Sequence, residues 1–260
     1  MPPQESEPAP GPQAPPPFRH LRVHVFQHVP FEGLGSMGPW MESRGHRISY
    51  GQPYAGKEFL SGADGADWVI AMGGPMGVHD EDGLPWLRDE KRALERALRR
   101  GAAVLGVCLG AQLLADVLGA KVSRNHEPEI GWFPVDLEAE AGATWLGSVF
   151  PPRFTPFHWH GDTFDLPGSA VPLGRSQACS NQGFLYADRV VGLQFHPEVT
   201  RESLTDLIVN CGSELPSSVS SGPGFVQTAE TLRAGLGYAP ALNAMMDRLC
   251  LALENRAACV

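Results

Sequence analysis

The sequence lacks the marks of several protein classes. Its five cysteines include no C-x-x-C pair and its nine histidines no H-E-x-x-H, so neither a disulfide framework nor a common zinc motif is indicated. No apolar run approaches the roughly 18 residues that a membrane-spanning helix needs. The N-terminus also lacks the basic start and apolar core of a signal peptide. We therefore expect a protein of the reducing cytoplasm with no membrane partner.

Concentrated positive charge is missing as well. The chain has 20 Lys and Arg against 29 Asp and Glu, for a net charge of −9. Its most basic stretch, residues 91–100, is short and is typical of a helix surface. Because phosphates are neutralised by clustered positive charge, no nucleic-acid partner is expected. Neither G-x-x-x-x-G-K-[ST] nor G-x-G-x-x-G occurs, so no nucleotide or other cofactor is indicated.

Proline is unevenly distributed along the 260 residues. Residues 1–17 contain eight of the 24 prolines and almost no large apolar side chains. We predict that residues 1–19 form a disordered tail, although such a tail could also dock in a partner's groove. Residues 20–260 are predicted to form a single domain that ends in helices, since this length can bury an ample core.

The first half of the domain alternates short apolar runs with helical patterns. Strand-like segments are Leu21–Phe26, His46–Tyr50, Trp68–Met72 and Ala102–Val107. A helix is predicted over Pro85–Arg100 from its apolar stripe, its proline in the first turn and its terminal arginines before Gly101. Strand, helix, strand and helix in this order predict an open, mostly parallel α/β sheet flanked by helices.

The second half has shorter elements. Strands are predicted at Trp132–Leu137, Pro156–His160, Ala170–Leu173, Gly183–Tyr186 and Val190–Phe195. A hairpin turn at Ala187–Arg189 is expected to join the last two. Helices are predicted at Arg201–Asn210 and Ala241–Asn255, with a loop rich in Gly, Ser and Pro over residues 212–224.

One cysteine lies where a strand runs directly into a helix. Cys108 follows an apolar strand, precedes a helical pattern, and is bracketed by Gly106 and Gly110. This is the strand–turn–helix arrangement of a nucleophile elbow, in which small neighbours make room for a strained central residue. A nearby helix N-terminus favours the thiolate. The alternative is a buried structural cysteine between two packing glycines.

A histidine and a glutamate follow another apolar strand. In Gln194-Phe-His-Pro-Glu198, His196 comes just after the strand and Glu198 two residues later. A cysteine nucleophile needs a base such as imidazole, and the imidazole needs a carboxylate to orient it. The alternative is a histidine at a strand end beside a surface glutamate.

A glycine-rich loop, Gly73-Gly-Pro-Met-Gly77, follows the third strand. Ligands of open α/β sheets bind at the carboxyl ends of strands. Such a loop can aim a backbone N–H at a substrate oxygen, and the N–H of Leu109, directly after the cysteine, would supply the other half of an oxyanion hole. A phosphate-binding loop is the alternative, without a matching motif.

Polar clusters follow two of the later strands. His160 and Asp162 lie in one and Gln182 in the other, where they could serve turns or bind a polar end of a substrate. His158 and His160 would share a strand face, which makes a metal site conceivable. No third ligand lies at a typical spacing in the sequence, so no metal is expected.

Taken together, the segments Gly73-Gly-Pro75, Gly106-Val-Cys-Leu-Gly-Ala-Gln112 and Gln194–Glu198 resemble the class I, triad-type glutamine amidotransferases. Residues 129–132, 159–164 and 181–184 are similar to the stand-alone, GMP-synthase-like subgroup. The resemblance implies a flavodoxin-like fold with a Cys nucleophile elbow. It also implies a glutaminase in which Cys108 attacks the side-chain amide of glutamine to form a glutamyl thioester and ammonia.

The same resemblance implies roles for individual residues. His196 is the acid and base, and Glu198 orients it. The N–H groups of Gly74 and Leu109 form the oxyanion hole. The residues implied or inferred to contact substrate are Gly73, Gln112, His160, Asp162 and Gln182.

Several functions remain open at this stage. The ammonia could pass to a synthetase or acceptor on a partner protein. The enzyme could instead be a γ-glutamyl peptidase or hydrolase, which uses the same thioester chemistry. A non-enzymatic module that binds a metabolite or regulates a partner, and another type of Cys-elbow enzyme, are the remaining alternatives.

Overall fold

The computed structural model describes residues 20–55, 60–217 and 224–257. The predicted disordered tail, residues 1–19, therefore lies outside the described residues, as does part of the predicted loop over 212–224. Among the described residues, no helix is both long and apolar enough to cross a membrane.

Twelve strands and seven α-helices make up the described chain. The strands are β1 (Arg22–Phe26), β2 (Arg47–Gly51), β3 (Trp68–Ala71), β4 (Ala103–Val107), β5 (Val122–Trp132), β6 (Val135–Leu137), β7 (Arg153–Phe154), β8 (Phe157–Phe164), β9 (Val171–Pro172), β10 (Gly174–Arg175), β11 (Gly183–Tyr186) and β12 (Val190–Leu193). The helices are α1 (Met37–Ser43), α2 (Trp86–Arg100), α3 (Leu109–Val117), α4 (Ala139–Gly142), α5 (Arg201–Cys211), α6 (Ala229–Ala234) and α7 (Ala239–Ala257).

A seven-stranded sheet in the order β2-β1-β3-β4-β12-β11-β9 forms the centre. The first five strands of this order are mutually parallel, and β11 and β9 add an antiparallel edge. The mostly parallel α/β sheet expected from the sequence is confirmed. Its parallel part has the 2-1-3-4-5 order of flavodoxin-like folds, with β12 as the fifth strand.

Two apolar cores lie on opposite faces of this sheet. In β4, Val104 packs with α2 and α3, while Leu105 packs with the buried faces of α1, α5 and α7. Successive strand residues point to opposite faces, so a strand covered on both sides must be apolar throughout. This is why β3 and β4 contain no polar residue and were readily recognised in the sequence.

The later strands differ more from the sequence-based expectation. The segment Trp132–Leu137 was predicted as one strand, but the structure breaks it at Pro134 and places Val135–Leu137 in a separate sheet with β7 and β10. Proline donates no backbone hydrogen bond and commonly ends a strand. The long strand β5 was also missed, because its first residues are polar and show no apolar run. It pairs antiparallel with β8.

The predicted turn between β11 and β12 is confirmed. Tyr186 pairs with Val190, and Ala187 and Asp188 between them have φ of 47° and 61°. Helix α6 was not foreseen. It is six residues long and buries only Leu232, so it offers no amphipathic repeat to detect.

Candidate active site

Cys108 occupies a strained backbone position between β4 and α3. Its φ of 52° and ψ of −108° are unusual for a residue with a side chain. A Cβ atom at Gly106 would lie 2.4 Å from the carbonyl oxygen of Gly110, and one at Gly110 would lie 1.9 Å from that of Ala71. Both neighbours must therefore be glycine for α3 to approach the sheet so closely.

The environment of the Cys108 sulfur is polar and sheltered. Cys108 is only 7% exposed, and its Sγ lies 3.6 Å from the carbonyl oxygen of Trp159. Its carbonyl oxygen accepts hydrogen bonds from the amides of Ala111 and Gln112, so the residue caps α3. The N-terminal end of a helix carries partial positive charge, and Cys108 lies at that end of α3.

His196 lies against this cysteine and is tied to a carboxylate. It hydrogen-bonds Cys108, and its Nδ1 lies 2.8 Å from Oε1 of Glu198. Burial lowers the pKa of His196, but the charge of Glu198 and the hydrogen bonds to Cys108 and Glu198 outweigh it and raise this pKa well above the usual value. The imidazole is therefore held as an imidazolium beside the thiol.

The backbone around Glu198 is anchored from two directions. The amide of Ser36 donates to the Glu198 carbonyl at 2.9 Å, and Gly35, at φ of 52°, lies directly against that oxygen. From α7, Asn243 Nδ2 donates to the carbonyl oxygens of Pro197 and Val199. Sequence reasoning missed these supports, because nothing in the local pattern links residues 35–36 or 243 to the His-Pro-Glu segment.

Two backbone amides lie near Cys108, because Leu109 directly follows it and Gly74 lines the same cavity. Gly74 lies so close to Leu109 that a Cβ on the glycine would be 3.1 Å from Cδ2 of the leucine. Neither amide N–H makes a hydrogen bond within the described part of the chain. Such free donors are what an oxyanion hole requires.

The loop that carries Gly74 is held by a buried ion pair that the sequence did not reveal. His28 Nδ1 donates to the carbonyl oxygen of Gly73 at 3.0 Å, while its Nε2 lies 3.0 Å from a carboxylate oxygen of Glu90. Both side chains are fully buried. Burial lowers the pKa of His28, but the charge and hydrogen bond of Glu90 and the bond to Gly73 raise it overall.

A cavity of about 370 Å³ opens beside Cys108. Among the described residues that line it, the charged groups are mainly acidic, with Glu32, Asp80, Asp162 and Glu214 against one arginine, Arg124. Burial is the largest influence on Glu32 and raises the pKa of its carboxyl group. The cavity can therefore accommodate a substrate with an amino group and a carboxylate.

The structure brings most of the predicted substrate contacts to this cavity. Gln112, His160 and Asp162 line it together with Gly74 and Cys108. Gln112 Nε2 donates to Oε1 of Gln194, whose own Nε2 lies 3.8 Å from the Cys108 sulfur. Asp162 forms a 3.4 Å ion pair with Arg124.

His160 and Gln182 present their polar atoms elsewhere. His160 lines the cavity, but its Nδ1 lies 3.0 Å from the carbonyl oxygen of Asp162 and its Nε2 lies 3.1 Å from Oε2 of Glu129. Gln182 is fully buried and does not line the cavity; its Nε2 donates to Glu129 Oε2 at 2.6 Å and to Ser176. Gly73 instead supports the loop through its carbonyl oxygen, as described above.

A cluster of possible metal ligands lies behind this wall of the cavity. Glu129, on β5, and His158 and His160, on β8, are buried, and their ligand atoms lie within 4.8 Å of one another. Spacing along the chain did not reveal Glu129 as a third ligand, because the register of β5 and β8 brings it opposite His160.

Comparison with known proteins places these features in a family. A family model described as glutamine amidotransferase class-I matches residues 46–212. The chain is 34% identical to the glutamine amidotransferase-like protein YfeJ of Salmonella typhimurium, over 82% of this chain and 90% of the relative. It is 36% identical to the GMP synthase (glutamine-hydrolyzing) of Thermomicrobium roseum, over 54% of this chain and only 25% of that protein.

A solved structure gives the same result for the fold. The glutamine amidotransferase of Thermotoga maritima superposes with a TM-score of 0.80 and 31% identity, over 92% of this chain and 99% of the other. Similarity of sequence and of structure thus extends over nearly the whole described chain.

Proposed function

The chain belongs to the class I glutamine amidotransferase family, and we propose that it hydrolyses the side-chain amide of glutamine, or of a related γ-glutamyl compound, through a glutamyl thioester on Cys108. The observation that carries the proposal is the contact between Cys108, on its strained turn, and the His196–Glu198 pair at the edge of a substrate-sized cavity.

The first step is nucleophilic attack. The Cys108 thiolate adds to the carbonyl carbon of the substrate amide, and the N–H groups of Gly74 and Leu109 donate hydrogen bonds to the oxygen as it becomes negative. Within the described residues neither amide donates a hydrogen bond, and the two belong to the loop after β3 and to the start of α3.

The imidazolium of His196 then acts as the general acid. It gives its proton to the leaving nitrogen, so that ammonia departs as the C–N bond breaks and the thioester remains. Neutral His196 next takes a proton from water, whose oxygen attacks the thioester. The C–S bond breaks, glutamate is released and the thiolate–imidazolium pair is restored. Glu198 orients the ring through Nδ1 and stabilises its positive charge.

The charges of the cavity suit an α-amino acid. Arg124 lines the cavity, where it can bind a carboxylate, and Asp162 beside it can bind an ammonium group. A γ-glutamyl amide carries the same amino acid end as glutamine and differs only in the leaving amine. The choice between these substrates therefore depends on the space around the amide nitrogen.

The test uses the full chain and a panel of substrates. We expect glutamate release from glutamine or from a γ-glutamyl amide, with Cys108→Ser abolishing turnover and Cys179→Ser retaining it. Cys179 is a matched control because it is buried and does not line the cavity. A glutamine analogue with a diazo-ketone in place of the amide should label Cys108, as detected by mass spectrometry of the peptides.

The pattern of turnover distinguishes the two alternative activities, γ-glutamyl hydrolase and amidotransferase subunit. Fast hydrolysis of one γ-glutamyl compound over glutamine identifies a γ-glutamyl hydrolase. Slow glutaminase activity with ammonia release identifies an amidotransferase subunit whose acceptor or synthetase is a partner protein. Undiminished turnover in Cys108→Ser, or neither turnover nor labelling in the wild type, would overturn the proposal in favour of a non-enzymatic module.

A further inference from the structure

Glu129, His158 and His160 form a compact group between β5 and β8, which we call the Glu129 cluster. Glu129 and His158 have fully buried side chains, and that of His160 is 1% exposed. Oε2 of Glu129 lies 3.5 Å from Nδ1 of His158 and 3.1 Å from Nε2 of His160. The proposed reaction uses none of these close contacts.

The backbone dictates where the two imidazoles carry their protons. Nε2 of His158 lies 3.1 Å from the carbonyl oxygen of Phe133, and Nδ1 of His160 lies 3.0 Å from that of Asp162. A carbonyl oxygen only accepts, so each of these nitrogens carries the hydrogen. The remaining nitrogens, Nδ1 of His158 and Nε2 of His160, therefore present lone pairs to Glu129 when the rings are neutral.

Three groups that can donate electron pairs to a metal ion thus converge. Within the described residues, Nδ1 of His158 and Oε1 of Glu129 are buried and have no hydrogen-bond partner. Buried acceptors that face one another are costly unless a cation lies between them.

The spacing of the donors fits a small tetrahedral cation. Zinc binds imidazole nitrogen and carboxylate oxygen at about 2.0–2.2 Å, which separates neighbouring ligand atoms by about 3.3–3.6 Å. The two distances to Glu129 Oε2, 3.1 and 3.5 Å, lie near this range. Hydrogen bonds from the outer ring nitrogens to backbone carbonyls are also the usual support for metal-binding histidines.

We propose that the Glu129 cluster is a binding site for a divalent transition-metal ion, with zinc as the best match, held by His158 Nδ1, His160 Nε2 and the carboxylate of Glu129. Two imidazoles and one carboxylate suit zinc rather than magnesium or calcium, which prefer oxygen ligands alone. A fourth position is open to water. The site does not depend on the proposed reaction, because Cys108 contributes no ligand.

The location gives the ion a structural role close to the nucleophile. Trp159 lies between the two histidines, and its carbonyl oxygen is 3.6 Å from the Cys108 sulfur. Phe157 directly precedes them, and its carbonyl oxygen accepts a hydrogen bond from the His196 amide at 2.8 Å. An ion bridging β5 to β8 would fix the strand that makes both contacts. A second cavity, of about 250 Å³, is lined by Glu129, Phe133 and Ser176 and shares no lining residue with the cavity beside Cys108.

The experiment measures metal binding directly in the full chain. Cys108→Ser serves as the parent, because a free thiolate beside a histidine is itself a zinc ligand. The chelator-stripped protein is titrated with zinc sulfate against a chromophoric competitor and analysed for bound metal. We expect one equivalent of zinc and a higher thermal midpoint. Cobalt(II) should give the visible bands of a tetrahedral nitrogen and oxygen site.

Single substitutions in this parent assign the ligands. Glu129→Gln and His158→Gln should each weaken zinc binding by more than about 100-fold, since even outer-shell partners of metal ligands are worth about 10- to 100-fold. His126→Gln is the matched control. It lies on the same strand, β5, but its side chain is 92% exposed, so affinity should be unchanged.

A spectroscopic measurement on the parent keeps the test decisive if a buried variant fails to fold. X-ray absorption at the zinc edge should show two imidazoles and no sulfur. Undiminished affinity in Glu129→Gln and His158→Gln, sulfur in the coordination shell, or no stoichiometric binding by the parent would each overturn the proposal. The last result would leave the three side chains as a hydrogen-bonded cluster only.

Discussion

Nδ1 of His196 and Oε1 of Glu198 lie 2.8 Å apart, with the two side chains only 5% and 7% exposed. Water therefore screens the charges of this pair only weakly, and the electrostatic attraction between the carboxylate and the imidazolium is strong. The single proline between the two residues, together with the anchors from Ser36 and Asn243, holds the pair in this geometry.

Glu198→Gln should move the pH profile of the reaction. Glutamine can still accept from Nδ1 but carries no charge, so the chief influence that raises the pKa of His196 is removed while burial, which lowers it, remains. The imidazolium is then lost at lower pH. We expect the alkaline limb of kcat/KM to shift downward and its maximum to fall by about 10- to 100-fold.

The control for this prediction is Glu202→Gln, an exposed carboxylate in the first turn of α5. It should leave the alkaline limb where it is in the wild type. An unshifted limb in Glu198→Gln, accompanied by a loss of rate alone, would mean that Glu198 does not set the protonation of His196.

Replacing Cys108 by glycine should give a more stable fold than replacing it by alanine, while both substitutions abolish turnover. A non-glycine residue at φ of 52° and ψ of −108° carries strain of about 1–3 kcal/mol. Glycine relieves it but loses about 0.5–1 kcal/mol in backbone entropy. We expect the free energy of unfolding, measured with urea, to be about 1 kcal/mol higher for Cys108→Gly than for Cys108→Ala, since alanine removes the sulfur but keeps the strain.

An alanine-to-glycine change at an ordinary helical position should lower the free energy of unfolding instead of raising it. Ala252→Gly, within α7, should destabilise by about 1 kcal/mol. If Cys108→Gly were no more stable than Cys108→Ala, the backbone at the elbow would not be strained in solution.

The sequence predicted the parts of the fold and site that rest on local patterns. β3 and β4 are covered on both faces and therefore appear as unbroken apolar runs, and the glycines around Cys108 mark the only way that α3 can approach the sheet. His196 and Glu198 lie two positions apart in the sequence, so their pairing can be predicted without knowing the tertiary structure.

What could not be predicted depends on contacts between distant segments. Glu129 meets His160 only through the register of β5 with β8, and the polar start of β5 hides that strand. His28 and Glu90 come from the loop after β1 and from α2. Nothing in either local pattern distinguishes Glu90 from the exposed charges of the same helix, although it is fully buried.

Gly110→Ala should disrupt the elbow through backbone contact alone. The added Cβ would lie 1.9 Å from the carbonyl oxygen of Ala71, and neither backbone can yield as a flexible side chain would. Helix α3 must then move away from β3, which carries the glycine-rich loop. We expect a loss of about 3 kcal/mol or more in the free energy of unfolding, measured with urea, and loss of turnover.

Gly212→Ala is the matched control. Its φ is −62°, and no atom lies within 4 Å of the added Cβ. This change should be neutral or stabilise by up to about 1 kcal/mol, because it restricts the unfolded chain. Equal effects of the two substitutions would contradict the close approach of α3 to β3.

The His28–Glu90 pair should make stability depend on pH in a definite direction. The folded-state pKa of His28 is raised above its unfolded value of about 6.5, because the charge and hydrogen bond of Glu90 and the bond to Gly73 outweigh burial. The stabilisation is therefore fully present below pH 6.5 and is lost as the pH rises through the folded-state pKa. This stabilisation amounts to about 1.4 kcal/mol for each unit by which the folded-state pKa of His28 exceeds its unfolded value.

The double variant His28→Gln/Glu90→Gln isolates this contribution. It keeps polar partners in the buried site, whereas either single change would leave an uncompensated group there. Urea denaturation at several pH values between 6 and 9 should show the wild type losing its advantage over the variant as the pH rises, while all other titrating groups cancel in the difference. A difference that does not change with pH would mean that His28 is neutral in the fold, and that the Gly73–Gly74 loop is held by hydrogen bonds without an ion pair.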